Sequence, residues 1–143
     1  MTVKAILARK GTDVATTDPN ATLADTVQLL AARRIGAVVV TGADRHIVGI
    51  LSERDVVRVL AEKGPAALDA PIADVMTRKV TTCGLRDTVK ELMERMTEGK
   101  FRHVPVVDQG RLAGIISIGD VVKSRVHEME QESAALQEYI RSA

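Results

Sequence analysis

The sequence of 143 residues has almost no aromatic side chains: one phenylalanine, one tyrosine and no tryptophan. Proteins that bind single-stranded nucleic acid usually stack bases on aromatic rings, so this role is poorly supported. The formal net charge of +1 gives no overall field that would attract nucleic acid or an anionic membrane. The core must therefore be built from valine, isoleucine, leucine, alanine and methionine.

Cysteine and long apolar segments are also scarce. Cys83 is the only cysteine, which excludes an intramolecular disulfide framework and is typical of a reducing compartment. No apolar run approaches the roughly 18 residues that a membrane-spanning helix needs, and the apolar stretch at the N-terminus is too short for a signal peptide. We therefore expect a cytoplasmic protein.

The usual motifs of catalysis are missing as well. The three histidines, His46, His103 and His127, do not have the spacing of metal ligands, and Cys83 has no evident histidine partner. Neither the glycine-rich dinucleotide motif nor a Walker loop occurs. We expect no enzyme activity, no metal and no catalytic cofactor. A nucleotide would therefore bind without being hydrolysed.

The chain does contain an internal repeat. Residues 14–35 align with residues 80–101 at an offset of 66, and residues 49–55 align with 114–120 at an offset of 65. The change in offset is a one-residue deletion in a hairpin loop. The same order of elements in both halves predicts duplicated architecture.

Each copy has the pattern of a strand, a helix, two strands and a second helix. Thr22 and Thr88 each precede an acid by three residues, which predicts capping boxes at the first helices, and Pro105 limits how its strand can pair. We predict an α+β, sandwich-like fold of two tandem β-α-β-β-α repeats, packed through their sheets as a pseudo-twofold pair around one shared core. The predicted units are a first repeat (1–63), a linker (64–71), a second repeat (72–125) and a C-terminal helical extension (126–143).

Three duplicated motifs resemble those of the cystathionine-β-synthase (CBS) domain. They are Gly-apolar-apolar-Ser-x-x-Asp in both copies, the segment 74–82, and the segment 101–107. The resemblance covers roughly residues 1–125 and implies a paired module that binds AMP, ADP, ATP, NAD(H) or S-adenosylmethionine in clefts between the copies. Such modules usually regulate an attached enzyme or channel. We expect no attached domain here and predict a stand-alone regulatory sensor.

The Ser-x-x-Asp pattern supplies the first candidate site residues. Asp120 lies at a helix start three residues after Ser117, where a carboxylate can accept hydrogen bonds from both ribose hydroxyls and the helix N-terminus favours a phosphate. Gly119 would let a ligand approach the backbone. Ser52 and Asp55 repeat the arrangement in the first copy. The alternative is a simple capping box, and the two roles are compatible.

The resemblance assigns phosphate contacts to Arg102 and His103, with Val104 and Pro105 of the same segment also counted among the nucleotide-binding residues. The alternative is a surface arginine beside a histidine that a nearby carbonyl satisfies. The first copy has uncharged residues at the equivalent positions and offers Arg54 instead. We therefore predict two unequal sites.

Of the two predicted sites, the one around Asp120 is the preferred candidate for AMP. The base would lie between aliphatic side chains, where Thr16 and Thr82, at the repeated strand ends, are expected neighbours. Their alternative role is that of ordinary β-branched strand residues.

An apolar stripe continues past the second repeat. Its members recur at alternating spacings of four and three, with glutamates between them: Val122, Val126, Met129, Ser133, Leu136 and Ile140. The stripe either packs back on its own chain or joins a second chain. Because CBS pairs commonly form disc-like homodimers, we predict a homodimer, with a further regulated protein unidentified. The alternative function is an interaction module whose ligand clefts are vestigial.

Overall fold

The structure is a computed structural model that describes residues 1–142. Two short 3₁₀ helices, Ala43–Arg45 and Pro65–Asp69, lie between its main elements. None of the described helices is both long enough and apolar enough to span a membrane. In chain order the main elements are α1 (Val3–Lys10), β1 (Thr16–Thr17), α2 (Leu23–Arg33), β2 (Ala37–Thr41), β3 (Ile47–Ser52), α3 (Glu53–Lys63), α4 (Ile72–Val75), α5 (Val89–Gly99), β4 (His103–Asp108), β5 (Arg111–Ser117) and α6 (Ile118–Ser142).

The two repeats have unequal sheets. In the first, β1 runs parallel to β2, which pairs antiparallel with β3. In the second, β4 and β5 form an antiparallel pair, and the expected first strand is reduced to a single parallel bridge between Cys83 and Val106. Proline explains this loss: the Val39 N–H donates to the Ala15 carbonyl at 3.1 Å in the first repeat, whereas the equivalent Pro105 has no N–H to donate.

The mixed α+β fold of two repeats with a C-terminal helix is confirmed, and so is one of the two predicted capping boxes. Thr88 and Glu91 form a complete capping box at α5. At α2 the Thr22 hydroxyl accepts from the Asp25 N–H at 3.1 Å, which is only the first half of the predicted box. These side-chain bonds satisfy amides that a helix start leaves without backbone partners.

The expectation of one shared core is wrong, because the structure has two buried clusters. The cluster of the first repeat includes Ala67, Ile72 and Val75, which follow that repeat in the chain. The cluster of the second repeat includes residues of α1, which precedes the first repeat. Each repeat therefore buries a segment that leads into the other, and Ala67, within the segment predicted as a linker, is part of a core. A repeat of about 60 residues buries too little surface alone, so this exchange is physically favourable.

The apolar stripe of α6 does not pack back on its own chain within the described residues. Leu136 is 60 % exposed and Ile140 is 63 % exposed, and Val122, Val126 and Met129 are exposed as well. The helix runs unbroken for 25 residues. The stripe is therefore an unpartnered face in this single chain.

Glycines in β3 and β5 allow the exchanged segments to lie close to the sheets. A Cβ atom on Gly114 would lie 2.8 Å from Leu7 Cδ2. A Cβ atom on Gly49 would lie 2.8 Å from Met76 Cγ and 3.0 Å from the Thr77 carbonyl oxygen. At Gly49 the obstacle includes backbone, which cannot rotate away as the end of a leucine can.

We expect Gly49→Ala to lower the free energy of unfolding by about 1–3 kcal/mol, because the added methyl group overpacks this contact. Urea denaturation followed by circular dichroism measures the change. The matched control is Gly84→Ala, since no atom lies within 4 Å of a Cβ atom there. Equal stability of the two variants would contradict the proposed close packing.

Candidate functional site

Two cavities lie where the repeats meet. The first cavity, of about 470 Å³, is lined by Gly36, Ile50, Ser52, Glu53, Arg54, Asp55, Thr77, Lys79, Val80, Thr81, Lys100, Phe101, Arg102, His103, Ser117, Ile118 and Gly119. The second, of about 600 Å³, is lined by Lys10, Asp13, Val14, Ala15, Arg33, Arg34, Ile35, Gly36, Ala37, His103, Ile115 and Ser117. Three residues, Gly36, His103 and Ser117, line both cavities.

The two cavities are composite and correspond through the internal repeat. The first combines residues 79–81 and 100–103 of the second repeat with residues 50–55 of the first. The second combines residues 13–15 and 33–37 of the first repeat with Ile115 and Ser117 of the second. Each cleft thus joins the strand starts of one repeat to the last strand and helix start of the other.

This arrangement changes how the predicted site residues group. Arg102 lies in the first cavity with Arg54 and Asp55, rather than in the second cavity with the residues beside Asp120. His103 contributes to both cavities. The prediction that the residues of one sequence copy form one site was wrong, because each cleft takes its two walls from different repeats.

Asp55 closes a capping box at the start of α3. Its Oδ2 accepts from the Ser52 N–H at 3.0 Å and the Ser52 hydroxyl at 3.1 Å, and the Asp55 N–H donates back to that hydroxyl. Its Oδ1 accepts from the Thr77 hydroxyl at 3.3 Å and from Arg58 at 3.0 Å. The carboxylate is therefore held in a fixed position at the edge of the first cavity, beside a helix N-terminus.

Asp120 has the same local bonds at the start of α6 but a different neighbour. Its Oδ2 accepts from the Ser117 N–H at 2.8 Å, the Ser117 hydroxyl at 3.0 Å and the Lys10 ammonium at 2.7 Å. Burial raises the pKa of Asp120, but the hydrogen bonds from Lys10 and Ser117 outweigh it and hold the pKa below its usual range. The carboxylate therefore stays ionised, with an ammonium group in contact.

The His103 ring lies between the two clefts against Gly36. A Cβ atom on Gly36 would lie 3.1 Å from the ring Cε1 and 3.2 Å from Nε2, so a side chain at position 36 would crowd the ring. Burial is the largest influence on the pKa of His103 and lowers it. Lys10 and Arg102 lower it further, against the opposing effects of Glu53 and Asp120. The ring is therefore neutral at neutral pH.

Several predicted residues, Asp120 among them, lie just outside the cavities. Thr16 pairs with Val39 in the sheet, and the preceding residue, Ala15, lines the second cavity in its place. Thr82 is likewise replaced by Thr81 in the first cavity. Neither cavity is lined by Val104 or Pro105, which are buried in β4.

Sequence reasoning missed several polar cavity residues, among them Lys10, Thr77, Lys79 and Lys100. Lys10 ends the helix before the first repeat, and Thr77 follows the helix before the second. The repeat offset places these two positions one residue apart. Extending the alignment toward the N-terminus would have indicated both.

Cys83 belongs to the buried cluster of the second repeat and lines neither cavity. Burial, with a smaller contribution from Asp87, raises the pKa of its thiol to about 12, against the opposing effect of Arg95. The thiolate is the reactive form of cysteine. The protonated thiol found here is a core side chain rather than a nucleophile.

Two repeats that exchange leading segments and enclose two composite clefts define a paired α+β module. The family model of the CBS domain matches residues 3–62 and 72–127. The chain belongs to the CBS-domain family, which confirms the resemblance found in its motifs.

The chain is similar to three proteins of this kind. It is 34 % identical over 124 residues to the mitochondrial CBS domain-containing protein CBSX3 of Arabidopsis thaliana, a match that covers 84 % of this chain and 60 % of that protein. It is 51 % identical to the crystal structure of the CBS-domain containing protein ATU1752 from Agrobacterium tumefaciens, covering 87 % of this chain and 92 % of that one with a TM-score of 0.83. It is 29 % identical to the CBS domain protein PAE2072 from Pyrobaculum aerophilum complexed with AMP, covering 84 % and 89 % with a TM-score of 0.75.

The lowered pKa of His103 predicts a pH-dependent stability. An unfolded chain takes up a proton at this ring near the ordinary pKa of about 6.5, whereas the folded chain does so only at lower pH. The free energy of unfolding should therefore fall as the pH drops below about 6.5. We expect the free energy of unfolding of the His103→Gln variant to fall less steeply between pH 7 and pH 5, as measured by urea denaturation at each pH. His46→Gln, at an exposed ring, is the control, and an unchanged slope in His103→Gln would contradict the assignment.

Proposed function

We propose that this chain is a non-catalytic regulatory module that binds adenine nucleotides in its two clefts, with AMP in the first. The observation that carries the proposal is the composition of the first cleft. There the fixed carboxylate of Asp55 at a helix N-terminus faces a cavity that four cationic residues also line: Arg54, Lys79, Lys100 and Arg102. ATP, ADP, NAD(H) and S-adenosylmethionine share the adenosine group and are the other candidate ligands.

The first cleft has separate regions for each part of AMP. Ile50 and Val80 supply aliphatic surface for the base, and the Asp55 carboxylate can accept from the ribose hydroxyls. The helix N-terminus and the nearby arginines favour a phosphate. A cavity of about 470 Å³ also falls in the range typical of small-molecule sites. The AMP complex of the similar protein PAE2072 supports the same ligand class.

One observation favours the second candidate, an interaction module with vestigial clefts. Four hydrogen bonds within the protein already reach the Asp55 carboxylate, so a ribose would have to share or displace them. The exposed stripe of α6 is independent evidence for an interaction surface. Ligand titration separates the two candidates, because only the sensor binds adenine nucleotide below millimolar concentration.

We expect Asp55→Asn to weaken AMP binding at the first cleft by at least about tenfold, because it removes a charge-assisted acceptor for the ribose hydroxyls. Isothermal titration calorimetry on protein with an unchanged circular dichroism spectrum measures the loss. Asp25→Asn is the matched control, since Asp25 occupies the same third position of α2 and lines neither cavity. Unchanged affinity in Asp55→Asn would remove this carboxylate from the site. No binding of AMP, ATP or NADH to the wild type up to millimolar concentration would favour the interaction module.

We also propose that the chain forms a homodimer in which α6 contacts the partner, and that it is cytoplasmic, in keeping with its single reduced, buried cysteine. The stripe has a heptad-like spacing and is exposed along most of its length. Val57 on α3 and Val122 on α6 are equivalent through the repeat and are both exposed. The apolar surface thus extends over both repeats, which fits a second copy better than a small ligand.

Leu136→Glu should convert such a dimer to a monomer, because the partner would have to bury an unpaired carboxylate. Sedimentation velocity or light scattering after gel filtration measures the mass. Gln137→Glu adds the same charge at the next position, which lies outside the stripe, and should leave the dimer intact. A monomeric wild type, or a dimer that persists in Leu136→Glu, would contradict the proposed interface.

A further inference from the structure

The clearest chemical difference between the two clefts is the group that is bonded to the carboxylate at each helix start. Lys10, the last residue of α1, lines the second cavity. Its ammonium group donates to the Ile115 carbonyl oxygen at 2.9 Å and, at 2.7 Å, to Oδ2 of Asp120, which follows the lining residue Ser117 by three positions and is not itself among the lining residues. The side chains of Lys10 and Asp120 are 30 % and 17 % exposed. The pair is therefore screened less by water than an ordinary surface ion pair.

The position of Lys10 is fixed by the fold. Three residues of α1, Val3, Ile6 and Leu7, are buried in the core of the second repeat, and two backbone bonds from α1 attach it to residues 85 and 87. The helix cannot withdraw from the cleft without opening that core. Only the flexible side chain of Lys10 is free to change partner.

In the first cleft no lysine is among the described hydrogen-bond partners of the Asp55 carboxylate. The repeat offset pairs Lys10 with Met76, and the Asp55 carboxylate instead accepts from the neutral hydroxyl of Thr77, which lines the cavity. The cation that reaches Asp55 is Arg58, which is not among the residues that line that cavity. A ligand thus meets a hydroxyl in one cleft and a salt bridge in the other.

We propose that Lys10 is a specificity-determining residue that makes the second cleft select phosphorylated adenosine ligands over neutral nucleosides. This inference rests on the proposed function, since it assumes that a ribose binds at Asp120. A ribose that takes the carboxylate must displace the ammonium group. A neutral nucleoside then leaves a partly buried cation with only the Ile115 carbonyl, whereas a phosphate gives that cation a new anionic partner.

The surroundings of the second cavity are consistent with an anionic ligand. Arg33 and Arg34 also line it, and the only carboxylate among its lining residues, Asp13, lies 3.8 Å from Arg33. His103 lines the same cavity as a neutral ring. A phosphate that entered would therefore meet three cationic residues, Lys10, Arg33 and Arg34, and only Lys10 is bonded to the Asp120 carboxylate beside the cavity.

The test compares adenosine with AMP at the second cleft alone. Calorimetric titrations are made in an Asp55→Ala background, which disables the first cleft. We expect AMP to bind more tightly than adenosine, and Lys10→Met to reduce this preference by about tenfold, the effect of one charge-assisted hydrogen bond. Adenosine should bind more tightly to Lys10→Met than to the Lys10 protein, because it no longer displaces an ion pair.

Two further variants control the comparison. Lys4→Met removes the same charge from an exposed position of α1 outside both cavities and should keep the preference for AMP. Lys10→Arg keeps the charge and should retain most of the preference, even if Lys10→Met proves too unstable to titrate.

Three other outcomes of these titrations would contradict the proposed role of Lys10. If AMP binds in the Asp55→Ala background and neutral substitution of Lys10 leaves the preference unchanged, the role of Lys10 is wrong while the proposed function stands. If AMP binds the wild type but not the Asp55→Ala protein, ligand is confined to the first cleft and the role of Lys10 is again wrong. If the wild type binds neither ligand at millimolar concentration, both proposals fail together.

Discussion

The exchange of leading segments between the repeats is the constraint on which the rest of the structure depends. Residues of α1 complete the core of the second repeat, and residues of α4 complete the core of the first. Without the exchange, each half would be a domain of about 60 residues with too little buried surface. The same exchange places the ends of the two leading helices at the clefts. Lys10 and Thr77 reach the two carboxylates for this reason, so stability and site geometry arise from the same packing.

Local features of the fold could be predicted from the sequence because their causes are local. A hydroxyl three residues before an acid predicts a cap wherever it begins a helix, and Thr88, Ser52 and Ser117 all form such bonds. The second repeat loses its first strand because of Pro105, an effect that requires knowing which backbone atoms pair. The sequence showed the proline, but only the register shows which bond is missing.

The grouping of site residues could not be predicted, because it depends on contacts between repeats. Ser52 and Asp55 were identified by a local motif, and so were Arg102 and His103 by the family resemblance. That Arg102 belongs with Asp55 rather than with Asp120 follows only from the crossed arrangement of the clefts. The prediction of Thr16 is off by one residue for a different reason. Successive residues of a strand point to opposite faces, so its neighbour Ala15 lines the cavity.

Duplication followed by local substitution explains why the clefts differ and why they are not electrostatically independent. The position of His103 in the second repeat corresponds to Ala37 in the first, so the module has one such ring rather than two. That ring fits between the clefts because Gly36 has no side chain. Lys10 from the second cleft and Glu53 from the first both act on its pKa. The ring that lines both clefts therefore responds to charged residues of each of them.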